Sequence, residues 1–258
     1  MPIFNIDIRE FLKYFLIFLR VASMIMAIPF LGNKSVPKIT KIGLAFLISI
    51  ILFPLHKEGV PSMPDELFAF AVIAIKEIIF GLLIGFTATL LFAAIDFSGQ
   101  ILGFQMGFGI VNVIDPTTNQ QVSIIAQLQN IMAALIFLSI NAHHIFIKAI
   151  SDSFTLVPLG KLNLSGKVVE VYLRFGADIF ILAIKMSAPI IATLLLTNVI
   201  LGIVSRTVPQ INIFMMSFPV TIGVGLISLA FVMPFFASFV EKLFNALGAQ
   251  LYYVMRTI

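Results

Sequence analysis

The sequence predicts an all-α protein of the integral-membrane type, and three observations predict it. Mean hydropathy is +1.11, with 60% hydrophobic and 11% charged residues, against about 25% charge in a soluble domain. The apolar residues fall in runs long enough to cross about 30 Å of hydrocarbon as helices. The basic residues sit in short stretches between those runs, where they read as topology signals and not as a nucleic-acid patch. A compact soluble protein of this size needs a polar skin, so this apolar surface needs lipid or the apolar faces of partner subunits. Twenty-seven Phe and no Trp depart from the Trp and Tyr belts of lipid-anchored helices, which favours protein neighbours. With no Cys, disulfides, thiolate metal sites and a Cys nucleophile are excluded.

The first run, Phe11–Leu31, is interrupted by Arg20. It exceeds a signal-peptide core and lacks a small-x-small cleavage site, so it is expected to remain as a transmembrane helix. Ile39–Phe53 is a shorter run, and Leu67–Ile95 a long one carrying Lys76 and Glu77. Val122–Ile147 ends near Asn141, His143 and His144. Val168–Val204 contains Asp178, Lys185 and Pro189, and Ile213–Val240 contains Pro219 and Pro234. Five or six helices and no independent soluble domain are expected.

The connections set topology as far as Leu67. Lys34, Lys38 and Lys41 without an acid place that loop on the cytoplasmic side. Glu58, Asp65 and Glu66 against Lys57 suit the opposite side. A single crossing by Leu67–Ile95 then puts Lys148–Arg174 outside, although Lys148, Lys161, Lys167 and Arg174 outnumber Asp152 and Glu170. Either Asp96–Gln121 makes an extra half-crossing, or some helices do not cross a bilayer in the usual way. Val168–Val204 would be roughly 55 Å long as one helix, beyond what tilt absorbs. A long hairpin is expected, Val168–Val204 packed on Ile213–Val240, with Pro189 a candidate kink.

Four groups of residues are candidates for chemistry. The stretch DFSGQILGFQMGFGIVNVIDPTTNQQ, residues 96–121, repeats Gly99, Gly103 and Gly107 every fourth position. In a helix these share a face that admits another backbone, as do Gly81 and Gly85, for which ordinary packing is the preferred reading. Phe104, Met106 and Phe108 interleave with Gly109, so this second cluster can be a flexible plug of bulky side chains or simple packing. Among the charges, Lys76 and Glu77 point about 100° apart. Asp178 and Lys185 share a face, and Arg20 stands alone. Inter-helix pairing and snorkelling account for them more simply than a proton relay. His143 and His144 diverge on a helix and have no HExxH or carboxylate cluster, so they read as helix-end polar residues. No P-loop, GxSxG or nucleophile–base pair is present: enzymatic activity, a cofactor and a metal are not expected.

The junction GIVSRTVPQINIF, residues 202–214, is the fourth. Pro209 biases Val208 out of the helix, Arg206 suits the dipole at a helix C-terminus, and Gln210 and Asn212 can satisfy its free carbonyls. Turn chemistry explains the residue types and leaves the density of amides to partner contacts.

Taken together, Arg20 with Pro29, GQILGFQMGFG followed by Asp115–Pro116, the NAHH segment, Ala188–Pro189 and G-x-x-x-R-x-x-P-Q-x-N-x-F resemble the FliR family of flagellar export-gate proteins, related to the SctT subunits of injectisomes. The resemblance spans essentially the whole chain in order, and its most specific part is RTVPQINIF. It implies a non-enzymatic subunit built like one FliP unit (1–167, including a glycine-rich plug at 96–121) fused to one FliQ unit, the long hairpin of 168–258. It implies assembly with FliP- and FliQ-like chains, and with FlhB-like and FlhA-like components, in the bacterial inner membrane at the flagellar basal body. Unfolded proteins would be the exported substrate, and no nucleic acid is involved. The channel plug maps to Gly103, Phe104, Met106, Gly107, Phe108 and Gly109, and the assembly motif to Arg206, Pro209, Gln210, Asn212 and Phe214. The rival from the residues alone is a stand-alone secondary transporter of a small solute using Asp178, Lys185 and Glu77, although no repeat of two halves is evident.

Overall fold

The structure, a computed structural model, describes residues 8–29, 36–56, 66–108, 123–208, 210 and 212–258, without the side chains of residues 9, 213 and 214. All regular structure among them is helical: α1 Ile8–Ala27, α2 Lys38–His56, α3 Leu67–Gln105, α4 Ile124–Ser139, α5 Ala142–Leu156, α6 Gly166–Thr207 and α7 Ile213–Thr257. Four of these, α2, α3, α6 and α7, are long and apolar enough to cross a membrane, and a fifth span results if α4 and α5 count as one broken crossing. The fold is all-α and of the membrane type.

Three helices outrun their apolar runs. α3 has 39 residues, α6 42 and α7 45, or about 58, 63 and 68 Å at about 1.5 Å per residue. α3 continues past Ile95 because its polar end is satisfied locally. Asp96 accepts from Gln100 Nε2 at 2.5 Å and from Asn130 Nδ2 of α4 at 2.6 Å. α7 continues past Glu241–Lys242 because Phe244, Leu247, Leu251 and Val254 are buried at helical spacing. Pro189 lies inside α6 and does not end it.

The expected single run Val122–Ile147 is instead two helices. Asn141 adopts a left-handed conformation, φ 55°, which stops α4 and starts α5 one residue later. Asn tolerates this conformation better than other side-chain-bearing residues. The supposed loop Lys148–Arg174 is helical at both ends, in α5 and α6, and only residues 157–165 connect them. Of the charges counted there, only Lys161 lies in that connection, the others being helical.

The chain forms two compact units. The first comprises Met1–Leu90, Asn141–Phe175 and Asn245–Ile258, and the second Leu91–Ile140 and Gly176–Phe244. In the first, α1 and α3 approach to backbone distance. A Cβ on Gly81 would stand 2.6 Å from the Arg20 carbonyl oxygen, and one on Gly85 2.3 Å from Ala27 Cβ. These two glycines serve helix packing, as expected. Tyr14 of α1 packs edge-on against Phe46 of α2. In the second unit, Phe92, Phe137 and Phe244 cluster with centroids 5.2 to 6.0 Å apart. Leu102, Met106, Ile125, Ile190, Leu194 and Leu229 form a buried core that joins α6, ending at Thr207, and α7, starting at Ile213, as a hairpin.

Candidate functional site

The glycine-rich segment begins in the second unit, where α3 meets the start of α4. A Cβ on Gly99 would lie 2.3 Å from Ala126 Cα, and one on Gly103 2.0 Å from Ser123 Oγ. Ser123 caps α4, accepting from the Ala126 N–H at 3.4 Å, and its hydroxyl donates to the Gly99 carbonyl at 3.2 Å. Gly99 and Gly103 thus share a packed face.

Gly107 does not extend that stripe. It has φ +90°, outside the helix, and its N–H donates to Phe104 O while the Phe108 N–H donates to Gly103 O, both at 3.0 Å. This pair of bonds is a Schellman cap, which wants glycine at the left-handed position. The cap ends α3 and turns the chain at the centre of the expected plug.

The bulky residues of the segment separate there. Phe104 is 78% exposed, whereas Met106 is fully buried in the core cluster, with Phe108 packed against that cluster and half-buried. Gly109 lies outside the described residues. Gly103, Met106, Gly107 and Phe108 are therefore brought together on the unit's interior side, and Phe104 is turned away from it.

The assembly motif lies at the tip of the α6–α7 hairpin. Arg206, Gln210 and Asn212 are all exposed, and Arg206 makes no hydrogen bond or ion pair among the described residues. Asn212 caps the second helix and not the first: its Oδ1 and its carbonyl accept from the Met215 N–H at 3.3 and 3.2 Å. Within the last turns of α6, Ser205 donates to Gly202 O and Thr207 to Val204 O, both bonds local to the helix. Pro209 and the Phe214 side chain lie outside the described residues. Only the start of α7 is capped at the tip, and Arg206 and Gln210 stand exposed, available to another molecule.

Two groupings escaped the sequence. On α7, Phe218, Thr221 and Gly225 share one face and receive the capped end of α3. Thr221 Oγ1 lies 3.4 Å from Met106 O, its shorter bond being to Ser217 O at 2.9 Å, and a Cβ on Gly225 would lie 2.7 Å from Met106 Cγ. Spacings of three and four residues carried this signal, but nothing local named the partner. In the first unit, Arg20 does not stand alone. Its Nε donates to Glu77 Oε2 at 2.5 Å, both side chains 1% exposed. Its Nη1 donates to Ser153 O at 3.1 Å and Val157 O at 2.8 Å, and its guanidinium lies between the rings of Phe80 and Phe154. Glu77 Oε1 accepts from the Gly160 N–H at 2.7 Å. The cluster thereby ties α1, α3 and the end of α5 into one unit.

The remaining charges form no such site. Asp178 is half-buried and Lys185 exposed, and neither is paired among the described residues. His143 and His144 stack edge-on, centroids 4.3 Å apart, in the first turn of α5. No group of three or more His, Cys, Asp or Glu residues suited to a metal occurs among the described residues.

A family model described as "Bacterial export proteins, family 1" matches residues 11–247. The chain belongs to this bacterial export protein family. Curated members named flagellar biosynthetic protein FliR are similar along almost their whole length. The chain is 36% identical to that of Bacillus subtilis over 93% of both chains. It is 34% identical to that of Escherichia coli over 90% of this chain and 88% of the relative. The FliR of Aquifex aeolicus is 30% identical over 88% and 87%. As a family 1 export protein, the chain is a membrane-embedded flagellar component, and the match covers both the glycine-rich segment and the hairpin tip.

Proposed function

We propose that this chain is a FliR-type export-gate subunit of the flagellar type III secretion apparatus. It forms, with FliP- and FliQ-like subunits, the conduit for unfolded flagellar proteins and helps to close that conduit at rest. The observation that carries this reading is the similarity to FliR over 93% of both chains. In this reading the subunit sits in the inner membrane at the flagellar basal body, with FlhA- and FlhB-like components nearby. Residues 1–167 act as a FliP-like part and 168–258 as a FliQ-like hairpin, a linear division that the compact units, built from interleaved stretches, do not follow.

The mechanism is gating by apolar bulk. At rest, a ring of apolar side chains excludes water and ions from a narrow conduit. Phe104, exposed on the segment that follows the α3–α4 packing face, supports a role as part of that bulk. Export displaces the segment, and energy enters through other components, since no phosphate-binding motif is present here. Arg206 and Gln210, exposed at the hairpin tip, support docking to partner subunits.

The transporter alternative draws no support. Glu77, one of its three coupling residues, is committed to Arg20 and Gly160.

The test uses the assembled complex. Replacing Phe104, Met106 and Phe108 together by Ala is expected to leave FliP- and FliQ-like chains co-purifying while ions leak through the resting complex. A complex that forms normally and stays as tight as wild type refutes the gate.

A further inference from the structure

The buried face of α7 gives the gate segment a fixed seat. Phe218, Thr221 and Gly225 fall on one face of the helix, and Leu229 continues it into the core cluster. Each touches the capped end of α3 in a different way. A Cβ on Gly107 would meet Phe218 Cδ1 at 3.2 Å, and Thr221 Oγ1 lies 3.4 Å from Met106 O. At Gly225 the missing side chain is the contact. A Cβ there would lie 2.7, 2.8 and 3.1 Å from Met106 Cγ, Cε and Sδ. Carbon atoms pack at about 3.5–4.0 Å, so the whole Met106 side chain occupies space that only glycine leaves. Two residues away, Gly223 has nothing within 4 Å of an added Cβ, so the notch belongs to position 225 and not to a generally open stretch of helix.

We propose that Gly225 is a positioning residue for the gate: its notch seats Met106, which fixes the capped end of α3 directly after the exposed Phe104. The inference rests on the gate reading above and divides the plug residues by role. Met106 is the anchor, held inside, and Phe104 contributes bulk to the closure. A methyl at 225 displaces the Met106 side chain, the group nearest to an added Cβ, and so loosens the contact that holds the capped end of α3. The seal then loosens although no residue of the plug has changed.

The experiment measures resting ion leak and complex assembly for Gly225→Ala, Gly223→Ala, Phe104→Ala, Met106→Ala and the double variant Met106→Ala/Gly225→Ala. Gly225→Ala is expected to raise resting leak about tenfold, equivalent to about 1.4 kcal/mol, with assembly unchanged, and Gly223→Ala to match wild type. The double variant is expected to leak less than either of its single variants, because a methyl at 225 refills the space that Met106 vacates. Such non-additivity is the mark of direct contact. If Phe104→Ala leaks while Gly225→Ala stays tight, the seat is wrong and the gate stands. If neither leaks from assembled complexes, the gate reading falls and the seat with it.

Should Gly225→Ala fail to assemble, the pair Met106→Cys/Gly225→Cys decides, because the chain has no other cysteine. Oxidation should crosslink the two positions in an assembled complex as tight as wild type. No crosslink, or a crosslinked complex that leaks, overturns the proposal.

Discussion

Replacing Arg20 by Met should be among the most damaging single changes outside the gate segment, and the structure says by how much. Met keeps most of the apolar volume between Phe80 and Phe154 but removes a cation from a site that is 1% exposed. Glu77 keeps only the Gly160 N–H. The Val157 carbonyl loses the guanidinium donor at 2.8 Å, whereas the Ser153 carbonyl still accepts from the Val157 N–H. One-sided loss of a buried ion pair costs about 3–5 kcal/mol, because the remaining charge is stranded. Replacing both partners with apolar residues removes that charge. Arg20→Met/Glu77→Leu then retains the cost of two backbone groups without side-chain partners, about 1–3 kcal/mol each at most. The double variant should therefore be more stable than Arg20→Met alone. Thermal unfolding of the purified complex in detergent, together with the yield of assembled complex, measures both. An Arg20→Met complex within about 0.5 kcal/mol of wild type, the scale of an exposed pair, would refute the claim that this pair is desolvated and holds three segments together.

Two further outcomes follow from the backbone. Gly85→Ala should destabilise the complex by about 1–3 kcal/mol through overpacking, since its Cβ would meet Ala27 Cβ at 2.3 Å. Gly202→Ala, with nothing within 4 Å, should be neutral or stabilising by up to about 1 kcal/mol, and equal melting temperatures for the two would contradict the packing. At the α4–α5 break, Asn141→Ala should cost about 1–2 kcal/mol for a left-handed residue while Asn141→Gly is close to neutral. The order of the two melting temperatures checks it.

Much of the fold was legible because hydropathy marks helices wherever they are apolar. The break between α6 and α7 was readable from the junction motif, and the packing face at Gly81 and Gly85 from spacing alone. What stayed hidden depended on tertiary partners. Arg20 and Glu77 lie 57 residues apart, and no local pattern joins them. Charge was read as the end of a helix at Asp96 and at Glu241, yet α3 and α7 both continue. In α3 an amide from the neighbouring α4 satisfies the carboxylate, and in α7 the polar residues sit on the solvent side of an amphipathic end. Gly107 was misread for a related reason. Spacing by four suggests a helix face, but a left-handed cap is equally well served by glycine at that position, and only the hydrogen bonds to Gly103 and Phe104 distinguish them. At the gate itself, the sequence picked the segment but could not divide Phe104 from Met106, because exposure is a property of the fold.

The same lengths decide what covers the apolar faces. From Ile213 to Val240, α7 carries no charged side chain, which corresponds to about 42 Å of helix. As a straight helix in a hydrocarbon layer of about 30 Å it would need a tilt of roughly 45°, beyond the usual range, unless it kinks at Pro219 or Pro234. Along this stretch Met215 is 71% exposed and Phe231 83%, so the surplus is not hidden within the chain. In the proposed assembly, protein neighbours cover this surplus. Because the chain has no cysteine, single cysteines introduced at Met215 and Phe231 report this directly. At least one of the two should be strongly shielded from a thiol reagent in the assembled complex and react in the isolated subunit. Equal reactivity at both positions in both states would mean that this surface meets lipid or water alone, and that its apolar character owes nothing to assembly.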